Sequence, residues 1–178
     1  GIALVNLSSS WAKNRLIATT RDLENWISEQ RRYAMTHKLT CQVVIDRNEK
    51  QLKSTLSSSQ GKDPCVVDAT HNNRTTYDLA DSFGTDSQKL SLIINHPIPP
   101  DVDAGICFSF RGFSEEFVGH CTKNQNKPVY ELDGVMELKL AHRDLEEQRC
   151  IRIISPTAMI RDGKAESSSS DCRYDTAY

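Results

Sequence analysis

No stretch of the sequence approaches the roughly 18 consecutive apolar residues that a membrane-spanning helix requires. Nor do its first residues show the basic region, apolar core and small-residue cleavage site of a signal peptide in that order. An excess of one charge is also missing. The chain has 22 Lys and Arg against 24 Asp and Glu, a formal net charge of −2, which excludes a strongly basic nucleic-acid module on bulk charge. No phosphate loop, dinucleotide fingerprint, Gly-x-Ser-x-Gly elbow or His-x-x-x-His pair occurs. The five histidines, His37, His71, His96, His120 and His142, are scattered. Glu115–Glu116 and Glu146–Glu147 are sequence neighbours whose side chains diverge in extended backbone, which suits no general acid/base pair. The sequence therefore reads as non-enzymatic, with no catalytic residue, cofactor or metal site.

What is present is a chain of 178 residues, 38% of them hydrophobic, long enough for one domain with a real core. Six cysteines, Cys41, Cys65, Cys107, Cys121, Cys150 and Cys172, form an even set with no Cys-x-x-Cys pair and spacings too wide for a zinc finger. They read as disulfides of an extracytoplasmic protein. Three bridges have about 15 possible wirings; the shortest loops to close favour Cys41–Cys65, Cys107–Cys121 and Cys150–Cys172. Asn-x-Ser/Thr triplets occur at Asn6 and Asn73.

From Ser8 to about Lys38 there is no Gly or Pro, and Leu16, Thr20, Leu23, Ile27, Arg31 and Ala34 recur at alternating steps of four and three. That spacing predicts one long amphipathic helix, with Leu16, Leu23 and Ile27 packing it on the rest of the domain. The period then changes. Thr40–Asp46 and Gln51–Leu56 read as a hairpin, residues 57–88 as a long polar surface loop tethered by Cys65, and Leu90–Asn95 and Ile106–Phe110 as strands. Val129–Leu132, Val135–Leu140 and Cys150–Ile154 are further strand candidates. This divides the chain into a helix at 1–38, a β-rich domain at 39–161 and a flexible tail at 162–178, in an α+β class. Basic residues outnumber acidic ones by three in 1–40 and by one in 149–178. In the tail region, spaced Arg and Lys with Tyr174 and Tyr178 suit contact with a phosphate backbone.

Asn14–Leu23 (Asn-Arg-Leu-Ile-Ala-Thr-Thr-Arg-Asp-Leu) and Glu29–Lys38, followed by a Cys/Val strand, resemble the helix and first strand of the GspH/FimT family of minor pilins and pseudopilins. Ile106–Ser114, with Phe108-Ser-Phe-Arg-Gly112, resembles that family's central Phe-x-x-x-Gly strand and turn, and Arg149–Ser155 its final strand. The resemblance implies a long helix on a domain of two antiparallel sheets, displayed outside the cytoplasmic membrane. It implies a helix whose apolar first half anchors in that membrane and later packs in a filament with other pilins. Gly1–Leu7 would be the last stretch of that half, the remainder being absent from this chain. The implied function is a minor pilin of a type IV pilus at the cell surface. The alternatives are a type II secretion pseudopilin, or a secreted disulfide-rich binding module unrelated to pili. The branch of the family used in DNA uptake during natural transformation carries Gly-Arg-x-Arg after the last strand; the matching stretch here, Ala158-Met-Ile-Arg161, keeps only Arg161. Weak DNA contact through Arg161, helped by Arg152, Lys164 and Arg173, is the corresponding expectation.

Overall fold

A computed structural model describes residues 2–46, 48–56, 65, 75–95, 104–114, 121, 134–167 and 170–174, with the side chains of 2–7 and 56 left aside. Helix α1 spans Ile2–His37. Strands β1 (Cys41–Asp46), β2 (Gln51–Leu56) and β3 (Thr76–Asp78) follow, then a short helix α2 (Leu79–Phe83) and a 3-10 turn at Ser87–Lys89. The chain continues through β4 (Leu90–Asn95), β5 (Ala104–Phe108), β6 (Val135–His142), β7 (Gln148–Ile154), β8 (Met159–Ala165) and β9 (Arg173–Tyr174). The strands form two antiparallel sheets, ordered β3-β2-β1-β5 and β4-β6-β7-β8-β9. The protein is thus α+β, with an N-terminal helix on two antiparallel sheets.

The helix forms because its apolar positions recur at helical spacing and nothing interrupts them, and it is held by packing more than by propensity: Thr19, Thr20, Asn25 and Trp26 are all mediocre helix formers. Its buried face is Ala12, Leu16, Thr19, Thr20, Leu23, Trp26, Ile27, Gln30 and Ala34, set against β1 and β5 of one sheet and β6, β7 and β8 of the other. Arg31, which the spacing placed in this stripe, is only half-buried; it lies at the stripe's edge and donates to the carbonyls of Gly112 (2.8 Å) and Thr157 (3.2 Å). Polar groups on the buried face are absorbed locally. Thr20 Oγ1 donates to the Leu16 carbonyl at 2.7 Å, and the Tyr77 hydroxyl to that of Thr19 at 3.2 Å. The helix ends where Lys38 turns left-handed (φ 54°) and Leu39 N donates back to the Ala34 carbonyl at 3.0 Å.

Three cysteine pairs stand at disulfide distance, Cys41–Cys65, Cys107–Cys121 and Cys150–Cys172, with Cα separations of 5.6, 5.6 and 6.3 Å. The pairing agrees with the shortest-loop wiring, and three disulfides point to an oxidising, extracytoplasmic environment.

Two expectations are corrected. The polar loop at 57–88 is not irregular throughout: Thr76–Asp78 adds a strand to the first sheet, and the Asp78 carboxylate then caps α2, accepting from Ala80 N (2.7 Å) and Asp81 N (3.2 Å). Gly84 (φ 76°) ends that helix, with Arg15 of α1 donating to the Phe83 carbonyl beside it. The flexible tail from Asp162 is likewise corrected. Residues 162–165 continue β8, and Arg173–Tyr174 pair with Lys164 and Gly163 as β9. Gly163 is required there, since a Cβ would meet the Tyr174 ring at 2.7 Å and the Arg173 carbonyl at 2.6 Å. The strand expected at Val129–Leu132, His71, His96, His120 and Asn73 lie outside the described residues.

Candidate interaction site

The four residues expected to contact DNA lie on the last three strands, but the structure does not gather them on one face. Arg152 pairs with Arg161 across β7 and β8, and Lys164 with Arg173 across β8 and β9. Since successive side chains on a strand alternate faces, Arg152 and Arg161 share the face turned away from α1, while Lys164 and Arg173 belong to the opposite one. Arg152 is moreover held internally. Its Nη2 is 3.4 Å from Glu137 Oε2, and its guanidinium carbon lies 3.9 Å from the centre of the Tyr174 ring. Arg173 pairs with Glu166 at 3.3 Å, both exposed, a contact of little energetic weight. Arg161 Nε donates to Met159 Sδ at 3.2 Å, and Lys164 is exposed.

These contacts build a polar cluster on what would otherwise be the solvent face of the second sheet. Glu137 on β6 accepts from the Tyr174 hydroxyl, faces Arg152 on β7, and lies 3.7 Å from Lys139 Nζ, which also donates to the Ser170 carbonyl at 3.4 Å. Cys150–Cys172 fixes the returning segment above it, with Ala165 and Tyr174 packed around the disulfide. Burial, followed by the hydrogen bond and charge of Glu137, pushes the Tyr174 phenol well above its ordinary pKa, so it remains a donor. The sequence showed Arg152 and Tyr174 but not this partnership, which depends on β8 and β9 being strands.

On the opposite face Arg149 lies between Glu147 (3.7 Å) and Asp162 (3.5 Å), and Glu147 also binds Lys13 of α1 at 2.7 Å. Glu24, about three turns further along the same side of α1 as Lys13, has its carboxyl raised above the usual range, first by burial and then by the nearby charge of Asp162. A carboxylate raised on folding costs stability at neutral pH, and that cost disappears as pH falls through the folded value. Glu24→Gln is therefore expected to raise the thermal midpoint at about pH 7 and to leave it unchanged at about pH 4. An equal gain at both pH values would show that the charge is irrelevant.

Among the described residues no three His, Cys, Asp or Glu side chains are grouped to hold a metal ion. His142 is buried against Phe83, ring centres 5.3 Å apart, with Nδ1 accepting from Asp144 N at 3.3 Å.

No protein-family model matches the chain, and comparison with curated proteins and with solved structures found no match. The dimensions of α1 differ from those of the sheets it packs on. At 36 residues it is about 54 Å long, whereas β6, the longest strand at 8 residues, spans only about 27 Å. Leu16, Leu23 and Ile27 are buried against the sheets; among the described side chains of α1, Ala12 is the first buried one and Ser8–Trp11 stand exposed before it.

Proposed function

We propose that this protein is a structural, non-enzymatic subunit of an extracytoplasmic filament, of the minor pilin type. The observation that supports this reading is the disproportion between α1 and the domain it covers. Among the described side chains the first buried one is Ala12, Trp11 before it is half exposed, and the helix continues from there toward Ile2. Such an overhang suits a helix that packs on neighbouring helices or in a membrane. The resemblance of Asn14–Leu23, Glu29–Lys38 and Ile106–Ser114 to pilin segments agrees with it, as do the three disulfides. On this reading its partners are other pilins, with membrane anchoring before assembly through helix upstream of the domain. Type II secretion pseudopilins share this arrangement and differ in the filament system served.

Expression of the full gene product with an epitope tag in its host, followed by shearing of surface filaments and by membrane fractionation, tests the proposal. Recovery with the sheared filaments, and with the inner membrane when assembly is blocked, is expected. A product found free in the medium, with neither membrane nor filament association, would overturn it.

A further inference from the structure

A sheet leaves a row of backbone groups unpaired along each edge strand, and the edges of this protein are guarded unequally. In the first sheet β3 has only 3 residues, and β5 is buried at all 5 of its positions. In the second sheet β9 has 2 residues. The other edge, β4, has 6 and carries none of the usual protections. Leu90–Asn95 contains no charged residue and no proline. Its register with β6 is unbroken from Leu90↔His142 to Asn95↔Glu137, so no bulge turns the strand aside. Ser91, Ile93 and Asn95 are exposed, Ile93 by 41%.

The hydrogen bonds at the start of β4 fix which of its groups point outward. Arg143 N donates to the Lys89 carbonyl at 2.9 Å, in line with the ladder, so Ser91, Ile93 and Asn95 are the residues that exchange bonds with β6. The N–H and C=O of Leu92 and Ile94 therefore point away from the sheet. Leu90 N, on that same side, is taken by the Ser87 carbonyl. No hydrogen bond among the described residues uses the outward groups of Leu92 and Ile94. The charges flanking the edge are already paired, Lys89 with Asp86 and Asp144, and Glu137 with Arg152 and Lys139.

The same strand supplies a partner that fits it. About Ile93 the sequence has one polarity pattern in both directions: Ser91, Leu92, Ile93, Ile94, Asn95, polar at the ends and apolar between. Laid antiparallel on a second β4 about that residue, Leu92 and Ile94 of the two chains exchange about four hydrogen bonds, which uses every outward group. Ser91 opposes Asn95. Ile93 meets its own copy as a non-hydrogen-bonded pair, with Cα atoms about 4.5 Å apart. This register needs only described residues, and it sets no charge opposite another.

We propose that β4 pairs with β4 of a second copy of this chain across a twofold axis at Ile93, joining the two second sheets into one. Such an isologous contact closes on itself, and it hides an edge that when open is a template for aggregation. Helix α1 runs along the strands, from Lys13 on Glu147 beside the β6–β7 turn to Arg31 on Thr157 in the β7–β8 turn. The twofold therefore sets the two helices antiparallel. In this the inference goes beyond the filament reading, since subunits repeated along a filament all point one way, and the pair is a form of the subunit outside it. Five paired residues bury less than the roughly 1,000 Å² of a stable interface, so the pairing is weak and is best caught covalently.

Mild oxidation of single-cysteine variants tests register and partner together, the six native cysteines being bridged. Ile93→Cys is expected to form a disulfide-linked dimer at least about tenfold faster than Ser91→Cys or Asn95→Cys alone, because only its thiols meet on the axis. An equimolar mixture of Ser91→Cys and Asn95→Cys is expected to link as the mixed dimer. Sedimentation up to about millimolar concentration is the second measurement. The wild type is expected to gain mass, whereas Ile93→Lys, which sets like charges opposite each other at an exposed site and keeps the fold by circular dichroism, stays monomeric. Linking of Ser91→Cys alone as fast as Ile93→Cys, or an Ile93→Lys chain that associates like the wild type, would overturn the pairing. So would a wild type that is monomeric throughout. If that monomer binds a synthetic extended peptide of unrelated uncharged sequence, with the Leu92 and Ile94 amides protected from exchange, the edge belongs to a strand of another protein. None of these outcomes touches the filament reading, which stands or falls on recovery of the full gene product with sheared filaments.

Discussion

Replacing Cys41 and Cys65 together by alanine is expected to destabilise the domain by about 3–4 kcal/mol, on the order of the chain entropy that closing a loop of this length removes from the unfolded state. The separation is 24 residues. Both cysteines are fully buried in the main core, so the substitution also strips contacts there. Cys41 begins β1, the strand between β2 and β5, and Cys65 N donates to the Ser54 carbonyl on β2 at 3.2 Å. The bridge thus fastens a strand of the first sheet to the segment that leaves it. Urea denaturation of wild type and variant measures the effect; a loss below about 1 kcal/mol would mean that the unfolded chain already holds these residues together.

Leu23→Ala is expected to cost about 3–5 kcal/mol, the upper part of the range for removing a leucine side chain from a core that cannot collapse. Leu23 has 0% exposure and sits at the middle of the buried face, between Thr19 and Thr20 on one side and Trp26 and Ile27 on the other. Trp26 is itself constrained against Tyr77, ring centres 5.8 Å apart, which limits how far the helix can settle into the void. The same denaturation series checks it. A cost within about 0.5 kcal/mol, ordinary for a surface site, would put Leu23 outside the core.

The helix was legible in the sequence because its spacing is regular over many turns, and β1, β2, β4, β6 and β7 because their apolar residues alternate or run together. What escaped had a physical reason in each case. Asp162–Ala165, with Gly163 and Lys164, reads as tail by composition; it continues the strand from Met159 because Gly163 lets Tyr174 lie across it and Cys150–Cys172 returns the chain to its edge. Thr76–Phe83 sits in a polar region whose only local signals were the Asp78 cap and Gly84 stop of a five-residue helix. Of the candidate site, the sequence named the basic residues but not their faces. Strand register decides that Arg152 meets Glu137 rather than solvent.

The route of α1 along the strand axis, on both sheets at once, bears on how the molecule carries tension. Force applied to the N-terminal end of the helix acts nearly parallel to its interface, so the whole row from Ala12 to Ala34 must slide together rather than peel one residue at a time. No disulfide crosses that interface; all three lie outside α1. Mechanical resistance there comes from packing and from non-covalent contacts such as Lys13–Glu147 and Arg31 on the Gly112 and Thr157 carbonyls, and the covalent bridges protect the sheets behind it once the helix begins to move.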